Sequence, residues 1–295
     1  MANSNSQVQI QTEKEKNTGG IKVRRAIAYV VLSFVTVLCL FWFFILFINA
    51  TRGDAELAKG FTVIPGGYLI KNMLGLMGRP EIPIWYGLLN SFIIAGSSAV
   101  LATYFSTMTA YAIHTYEFKA KKFMFTFILM IMMIPTQVTA LGFIRMVYAM
   151  GLENNFIPLI VPAIAAPVTF FYMKQYMDSA LPLSIIEAAR IDGSGEFRTF
   201  NTIALPMMKP AIAVQAIFTF VSSWNNYFTP ALILKTARNK TLPLLIRQLQ
   251  KSDYLTQDMG QVYFMIAFSI LPVIIVYVFL SKFIVQGIAL GSVKG

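Results

Sequence analysis

Histidine and cysteine, which carry much of the acid–base, nucleophilic and metal chemistry of proteins, occur once each in this chain of 295 residues. Zinc sites take their ligands mainly from His and Cys, so this pair predicts no metal site. His114 follows an apolar run without a paired acid nearby, which favours an interfacial side chain over a catalyst, and Cys39 is interpreted as a small buried hydrophobe. The dipeptide Gly-Lys does not occur, so the chain has no P-loop for ATP. We therefore expect no catalytic residue, no metal and no cofactor.

One polar segment, residues 181–206, stands between two apolar runs and has the pattern of two short helices. Pro182 suits the first turn of a helix, and Gly193 suits its end because glycine adopts positive φ without strain. Ser194 is predicted to cap the second helix. In the first helix, the predicted face consists of Leu183, Ile186 and Arg190, with Ile191 beside it. In the second, it consists of Phe197, Phe200 and Ile203, and Pro206 and Pro210 end that helix. Such a pair, held between two membrane spans, forms a protrusion suited to a protein partner, here called the docking knob (residues 181–206).

The composition places the rest of the chain in a bilayer. Hydrophobic residues make up 57% of the chain and charged residues 13%, and the mean hydropathy is +0.64. A soluble domain carries roughly 25% charged residues. The net charge of +11 is compatible with nucleic acid binding, but basic loops beside anionic lipid explain it more simply.

Six apolar runs approach the ~20 residues that a helix needs to cross the hydrocarbon core, and none contains Asp, Glu, Lys or Arg. β-barrel spans are shorter, at ~10 residues, and alternate in polarity. The fold class is therefore predicted as an all-α membrane protein with six transmembrane helices. The predicted spans are 28–50, 84–113, 123–143, 156–173, 211–234 and 262–281.

The ends of the chain are predicted to lie in the cytoplasm. Residues 1–27 are polar and are predicted to form a disordered tail, and residues 285–295 a second tail. The basic cluster from Lys22 to Arg25 beside the first span favours an inside N-terminus, although the basic segment 235–251 in an outer loop acts against it. The second span is rich in Gly, Ala and Ser, which predicts a closely packed helix.

The docking knob carries a recognisable spacing: Glu187-Ala188-Ala189, then Gly193 and Ile203, then Leu205-Pro206. This pattern resembles the EAA signature of the MetI-like inner-membrane permeases of binding-protein-dependent ABC importers. Other segments are similar to the carbohydrate-uptake branch, and in particular to the second permease subunit of maltose-type transporters. These segments are Asn90-Ser91, Ala110-Tyr111-Ala112, Met133-Ile134-Pro135, Gly151-Leu152, Trp224-Asn225-Asn226-Tyr227 and the Gly-rich stretch 287–295. One departure is Ser281-Lys282-Phe283, where many relatives have Gln before a basic residue.

The resemblance implies a permease domain over residues 84–284, the fold of type I ABC importers, and specific roles in the docking knob. The helix with Glu187, Ala188 and Ala189 would be a coupling helix seated in a cleft of a cytosolic ATPase. Glu187 would meet a basic group there, and the two alanines would allow close approach. Asp192 would cap or pair locally, Gly193 would allow the bend, and Ile203, Leu205 and Pro206 complete the motif.

The resemblance also implies the partners: a second permease, two ATP-binding subunits, an extracytoplasmic sugar-binding protein and the sugar itself. Outer loop 235–260 would touch the binding protein, and tail 290–295 would reach toward the ATPases. The chain would then be a non-enzymatic subunit in the cell membrane of a bacterium or archaeon.

Three questions stay open from the sequence. Trp224, Asn225, Asn226 and Tyr227 are candidates for sugar contact, because aromatic faces and amides suit sugar rings, but helix packing with an interfacial anchor explains them as well. The transported solute is an oligosaccharide or, alternatively, a polyol or glycerol phosphate. A secondary carrier or channel is a third class, which the uncharged spans and the docking motif disfavour.

Overall fold

The computed structural model of the chain describes residues 2–251 and 258–291, and it defines side-chain surroundings for residues 21–135, 137–251 and 258–283. Every regular element in these described residues is helical, which confirms the all-α prediction. Short 3-10 turns occupy Val161–Ile164 and Ala237–Asn239, and one π-helical segment occupies Phe200–Ala204. The helices are α1 (Ala2–Ala50), α2 (Asp54–Leu57), α3 (Leu69–Met77), α4 (Ile84–Thr115), α5 (Lys121–Met132), α6 (Thr136–Ala149), α7 (Ile157–Ile160), α8 (Pro167–Ala180), α9 (Leu183–Ile191), α10 (Glu196–Thr199), α11 (Leu205–Met207), α12 (Lys209–Trp224), α13 (Phe228–Ile233), α14 (Leu242–Lys251) and α15 (Met259–Gly291).

Four helical stretches in the described chain are long and apolar enough to cross a membrane, and two bent helix pairs raise the number to six if each pair is one span. The upper count equals the six predicted spans, but residues 196–206 of the second bent pair belong to the docking knob, so only its helix 209–224 corresponds to the predicted fifth span. The continuous stretches are 21–50, 84–115, 157–180 and 259–283, and the bent pairs are 121–132 with 137–149 and 196–207 with 209–224.

Helix α1 differs from the sequence prediction at its start. The described backbone is helical from Ala2, where a disordered tail was predicted over residues 1–27. Residues 7–16 contain no Pro and are rich in Gln, Glu and Lys, which are strong helix formers and extend the apolar helix backwards. Within the chain only 6% of the most apolar window of α1 is buried. Cys39 is consequently exposed, and the prediction that it is a buried hydrophobe is wrong.

Helix α4 packs against α8, α12 and α14, as its small residues predicted. Ala95, Ala102 and Ala110 are fully buried along it. A Cβ added at Gly87 would lie 2.5 Å from Cδ1 of Leu245, so this glycine permits the close approach of α14. Small side chains at such contacts let helix backbones pack tightly in lipid.

Two predicted spans are broken rather than continuous. The third, 123–143, bends by 97° between α5 and α6 at Pro135, which lacks the backbone N–H that a continuous helix needs. The fifth, 211–234, ends one helix at Trp224 and starts another at Phe228.

Asparagine chemistry explains the break in the fifth span. Asn225 closes α12, and the Oδ1 atom of Asn226 accepts a hydrogen bond from the backbone N–H of Thr229 at 3.3 Å. Asn side chains compete with the backbone for hydrogen bonds, so two in succession favour a helix end over a continuous helix. The apolar neighbours on either side mask this signal in a hydropathy profile.

The segment between α1 and α4 is tied to the start of α15. The buried side chain of Asn72 donates to the carbonyls of Ala50 and Arg52 at 3.0 and 2.9 Å. The backbone N–H of Gly260 donates to Asp54 Oδ1 at 3.0 Å. These bonds hold the end of α1 beside α15, with which it packs.

Candidate docking knob and cavity

The first helix of the docking knob, α9, has a buried side and an outward side. Ile186 and Ala189 are 1% and 6% exposed and pack against the rest of the chain. Glu187 and Ala188 are exposed. The three residues of the EAA triplet therefore do not share one side of the helix, because residues two apart on a helix point in different directions. Glu187 and Ala188 are free for a partner, whereas Ala189 seats the helix on its own protein.

Gly193 ends α9 with the conformation that the sequence predicted. Its φ is +76°, a value that side chains with a Cβ rarely adopt. The backbone N–H of Ser194 donates to the carbonyl of Ala189 at 2.9 Å, and that of Gly193 donates to the carbonyl of Arg190 at 3.0 Å. This pair of bonds is a Schellman motif, in which the residue after the helix must take positive φ. Asp192 is the exposed C-terminal cap residue of the same helix.

The second half of the knob differs in detail from the prediction. Gly195, not Ser194, precedes α10 as its cap residue, and no side chain caps that helix. Ser194 Oγ instead accepts a hydrogen bond from Thr199 Oγ1 at 2.9 Å. Phe200 is buried, but Phe197 is 71% exposed, so the predicted apolar face of the second helix is only partly buried. Ile203 and Leu205 are half-buried, and Pro206 is exposed.

A cluster of charged and aromatic groups fastens the knob to the end of α4. Arg190 Nε donates to Glu196 Oε1 at 2.6 Å, and the hydroxyl of Tyr111 donates to Glu196 Oε2 at 3.2 Å. The guanidinium of Arg190 lies 5.4 Å from the ring centre of Tyr116. Burial, followed by the hydrogen bond to Glu196, raises the pKa of Tyr116. Glu196, which belongs to α10, therefore links α9 and α10 to the end of α4.

The exposed surface of the knob carries apolar side chains as well as Glu187. Ile191 is 86% exposed and Phe197 is 71% exposed, although both are large hydrophobic side chains. Exposed apolar groups rimmed by polar residues mark protein interaction sites. We define the docking tip as Glu187, Ala188, Ile191 and Phe197.

His114, expected to have no paired acid nearby, is paired in the structure. Its Nδ1 atom lies 2.8 Å from Asp178 Oδ1 of α8, and its Nε2 atom lies 2.9 Å from the carbonyl oxygen of Leu181. The two partners are 64 and 67 residues away in sequence, which hides them from a search along the chain.

A cavity of about 980 Å³ opens between α4, α6, α8 and α12. Every side chain that the described residues contribute to its wall is neutral. Amides and hydroxyls are interleaved with apolar groups, and the buried side chain of Gln215 belongs to the wall. Such a surface can hydrogen-bond an uncharged polar solute. The polar lining residues are Ser98, Gln137, Thr139, Thr169, Gln215, Thr219, Ser222, Ser223, Asn226 and Thr229.

The four predicted sugar-contact residues do not share one site. Asn226 lines the large cavity, whereas Trp224, Asn225 and Tyr227 line a separate hollow of about 270 Å³ beside α14. Trp224 is 3% exposed, stacks on Phe220 with ring centres 5.6 Å apart, and donates through Nε1 to the carbonyl of Ser269 at 3.2 Å. Its packing role is therefore plain, and the polar wall from Ser98 to Ser223 is the part that sequence reasoning missed.

A family model described as "Binding-protein-dependent transport system inner membrane component" matches residues 114–290, which include the docking knob and most of the cavity wall. The chain belongs to this family. It is thus an ABC importer permease and a multi-pass membrane protein, as the resemblance of the EAA spacing implied.

Relatives of this permease span most of its length. It is 32% identical over 270 residues to the arabinooligosaccharides transport system permease protein AraQ of Halalkalibacterium halodurans, covering 89% of this chain and 94% of that protein. It is 31% identical over 268 residues to AraQ of Bacillus subtilis, covering 88% and 92%. It is 28% identical over 265 residues to the sn-glycerol-3-phosphate transport system permease protein UgpE of Yersinia pestis, covering 88% and 94%.

A solved structure has the same fold as this permease. It is the crystal structure of a bacterial ABC transporter involved in the import of the acidic polysaccharide alginate. The match has a TM-score of 0.75 and 21% identity, and it covers 88% of this permease and 96% of the other chain.

Proposed function

We propose that this permease imports a neutral oligosaccharide in an ATP-driven transporter, together with a second permease, two cytosolic ATPases and an extracytoplasmic sugar-binding protein. The observation that carries the proposal is a cavity with a neutral polar wall in a chain whose docking tip faces outward. ATP hydrolysis belongs to the partner ATPases, and both termini and the docking knob lie on the cytoplasmic side of the cell membrane.

The mechanism is a two-state switch. ATP brings the two ATPase subunits together, and their clefts carry the docked helices α9 with them. The Glu196 contacts to Arg190 and Tyr111 pass this movement to α4, which packs on the cavity-lining helices α8 and α12. The permease pair turns from inward-open to outward-open, so the sugar leaves the binding protein for the cavity. ATP and the loaded binding protein bias the same equilibrium.

The cavity wall favours a neutral sugar over an anionic solute. A phosphate or carboxylate is held best by Arg or Lys through charge-assisted hydrogen bonds. The described wall offers amides, hydroxyls and apolar groups instead. Glycerol phosphate, after which the UgpE relatives are named, is the second candidate. The two candidates can be distinguished by giving labelled neutral oligosaccharides or glycerol 3-phosphate to the purified transporter in proteoliposomes. ATP-dependent uptake of only glycerol 3-phosphate would reject the sugar proposal.

The two adjacent asparagines give a matched pair of variants. Asn226→Ala removes an amide from the large cavity, and we expect KM for sugar uptake to rise about threefold to tenfold, the equivalent of one neutral hydrogen bond of about 1 kcal/mol. Asn225→Ala is the control, since Asn225 lines the other hollow. Uptake kinetics measured over a range of sugar concentrations decide it. Equal KM values for wild type and both variants would show that Asn226 does not contact the sugar.

The orientation is tested by cysteine labelling in a Cys39→Ser background. The sequence suggested Ser194 inside and Ser252 outside, but Ser252 lies outside the described residues. Arg198 in the knob and Lys251 at the end of α14 are exposed and replace them. A membrane-impermeant maleimide added to intact cells should label Lys251→Cys and leave Arg198→Cys unlabelled until the membrane is opened. The reverse pattern would refute an inside N-terminus.

A further inference from the structure

Three amide side chains are buried in the part of the chain that the structure describes, and they differ in what they bind. Asn72 and Asn90 are 7% and 6% exposed, and each donates to two backbone carbonyls at distances of 2.7 to 3.0 Å. Gln215 is 5% exposed, and no group of the described residues hydrogen-bonds to its side chain. It is therefore the exception among the buried amides.

The missing partner of Gln215 has to come from the cavity. Buried polar side chains are hydrogen-bonded in the large majority of cases, because a polar group taken out of water without a partner costs free energy. The side chain of Gln215 lines the cavity of about 980 Å³ between α4, α6, α8 and α12. Its amide is thus presented to the space that holds the solute during transport.

Gln215 stands at one end of a stripe along α12 that faces this cavity. The members are spaced three or four residues apart in two neighbouring rows, which places them on one side of the helix. Gln215 lies six residues after Lys209, where α12 leaves the docking knob, and about 12 Å before Ser223 at a rise of 1.5 Å per residue. The stripe consists of Gln215, Phe218, Thr219, Ser222, Ser223 and Asn226.

We propose that Gln215 is a specificity-determining residue, whose amide hydrogen-bonds to a sugar hydroxyl at the knob end of the cavity. The proposal rests on the proposed function, because it needs a neutral sugar in the cavity. An amide has a carbonyl acceptor and two N–H donors, and a hydroxyl both donates and accepts, so the two groups match in either orientation of the amide. A solute that lacks this hydroxyl leaves a buried polar group unpaired, which is how a site rejects such an analogue.

Gln215→Met should weaken transport without weakening the protein. Methionine has a similar length and helix preference, and the substitution breaks no hydrogen bond among the described residues. The melting temperature of the purified transporter should therefore equal that of the wild type or exceed it. KM for uptake should rise about threefold to tenfold, as for the loss of one neutral hydrogen bond. The probe is the labelled neutral oligosaccharide that the wild type takes up fastest into proteoliposomes.

Asn72→Leu is the matched control, because it also removes a buried amide but one that is bonded within the protein. The carbonyls of Ala50 and Arg52 lose their donor, and Asn72 is not part of the cavity wall. This variant should have a lower melting temperature and an unchanged KM. If Gln215→Met gives that same result, its amide has a structural role and the proposal is wrong.

Singly deoxygenated analogues of the same oligosaccharide measure the specificity directly. The measured quantity is kcat/KM of uptake for the parent sugar divided by kcat/KM for each analogue. The same binding protein serves both transporters, so its own preference cancels when the wild-type ratio is divided by the Gln215→Met ratio. The analogue that lacks the hydroxyl bound by Gln215 should give a quotient of roughly threefold to tenfold. Equal ratios in the two transporters for every analogue would overturn the proposal.

Two other results would be recognisable. Loss of the second permease from purified Gln215→Met transporter would assign the amide to a contact between subunits, and would overturn the proposal. Failure of the proposed function looks different, since the wild type itself would then import no neutral oligosaccharide, and the assignment of Gln215 would fail with it.

Discussion

A transporter with Glu187→Lys should lose its ATPase subunits on purification, or keep them with ATP hydrolysis that no longer responds to the binding protein. Glu187 is exposed on α9, one turn before the exposed Ile191. We propose that its carboxylate meets a basic group of the ATPase. Truncating one partner of a docked charge pair costs about 2–5 kcal/mol, and reversing the charge is no milder. The affinity should fall at least ~30-fold. Co-purification and stimulated ATP hydrolysis measure it.

The control for this variant is Glu117→Lys. Glu117 follows α4, as the knob follows α8, and its side chain is 88% exposed, but it is outside the docking tip. It should insert and retain ATPase as the wild type does. Insertion of Glu187→Lys should also be normal, because no span is altered. If Glu187→Lys shows wild-type uptake and normal ATPase retention, Glu187 is not part of the docking site.

Gly193→Val should uncouple the transporter for a conformational reason. The φ of Gly193 is +76°, and a Cβ placed there would meet nothing within 4 Å, so any penalty comes from the backbone and not from crowding. A β-branched residue at positive φ costs more than ~1 kcal/mol. The Schellman motif would open and the second knob helix would be misdirected. We expect binding-protein-stimulated ATP hydrolysis to fall to the basal rate while the protein still inserts.

Two further variants isolate the cause. Gly195→Ser adds a Cβ two residues away where φ is −68° and nothing lies within 4 Å, and serine is a favourable cap residue there. It should be close to wild type. Gly193→Asn should be milder than Gly193→Val, because Asn tolerates positive φ better than β-branched residues do. Equal activity of Gly193→Val and wild type would show that the bend does not matter for coupling.

The sequence predicted the docking knob well where the information is local. The positive φ of Gly193 and the start of α9 after Pro182 depend on residues within one or two turns. The cap at Ser194 was predicted wrongly, because the hydroxyl of Thr199 hydrogen-bonds to that of Ser194. The preference of Ser for helix N-caps takes no account of such a competing partner. The division of the EAA triplet into Ala189 inward and Glu187 outward required the position of the rest of the protein.

Long-range contacts account for what the sequence did not predict. Tyr111 and Glu196 are 85 residues apart, and His114 and Asp178 are 64 apart, so neither pair has a signal in spacing. The six spans were predictable because hydropathy is a property of each segment alone. The break at Asn225 and Asn226 was not, since the same amides also suit a sugar site, and only the fold assigns them to two different hollows.

The neutral wall of the cavity has an electrical consequence. A bilayer potential does work on charge that moves through it, about 2.3 kcal/mol per elementary charge for each 100 mV. The wall residues of this subunit, from Ser98 to Thr229, carry no charge to be moved when the cavity opens alternately to the two sides. A neutral sugar adds none. If the cargo is the neutral oligosaccharide that we propose, we expect this half of the path to do no electrical work against the membrane voltage, and accumulation of the sugar to depend on ATP and not on the membrane potential.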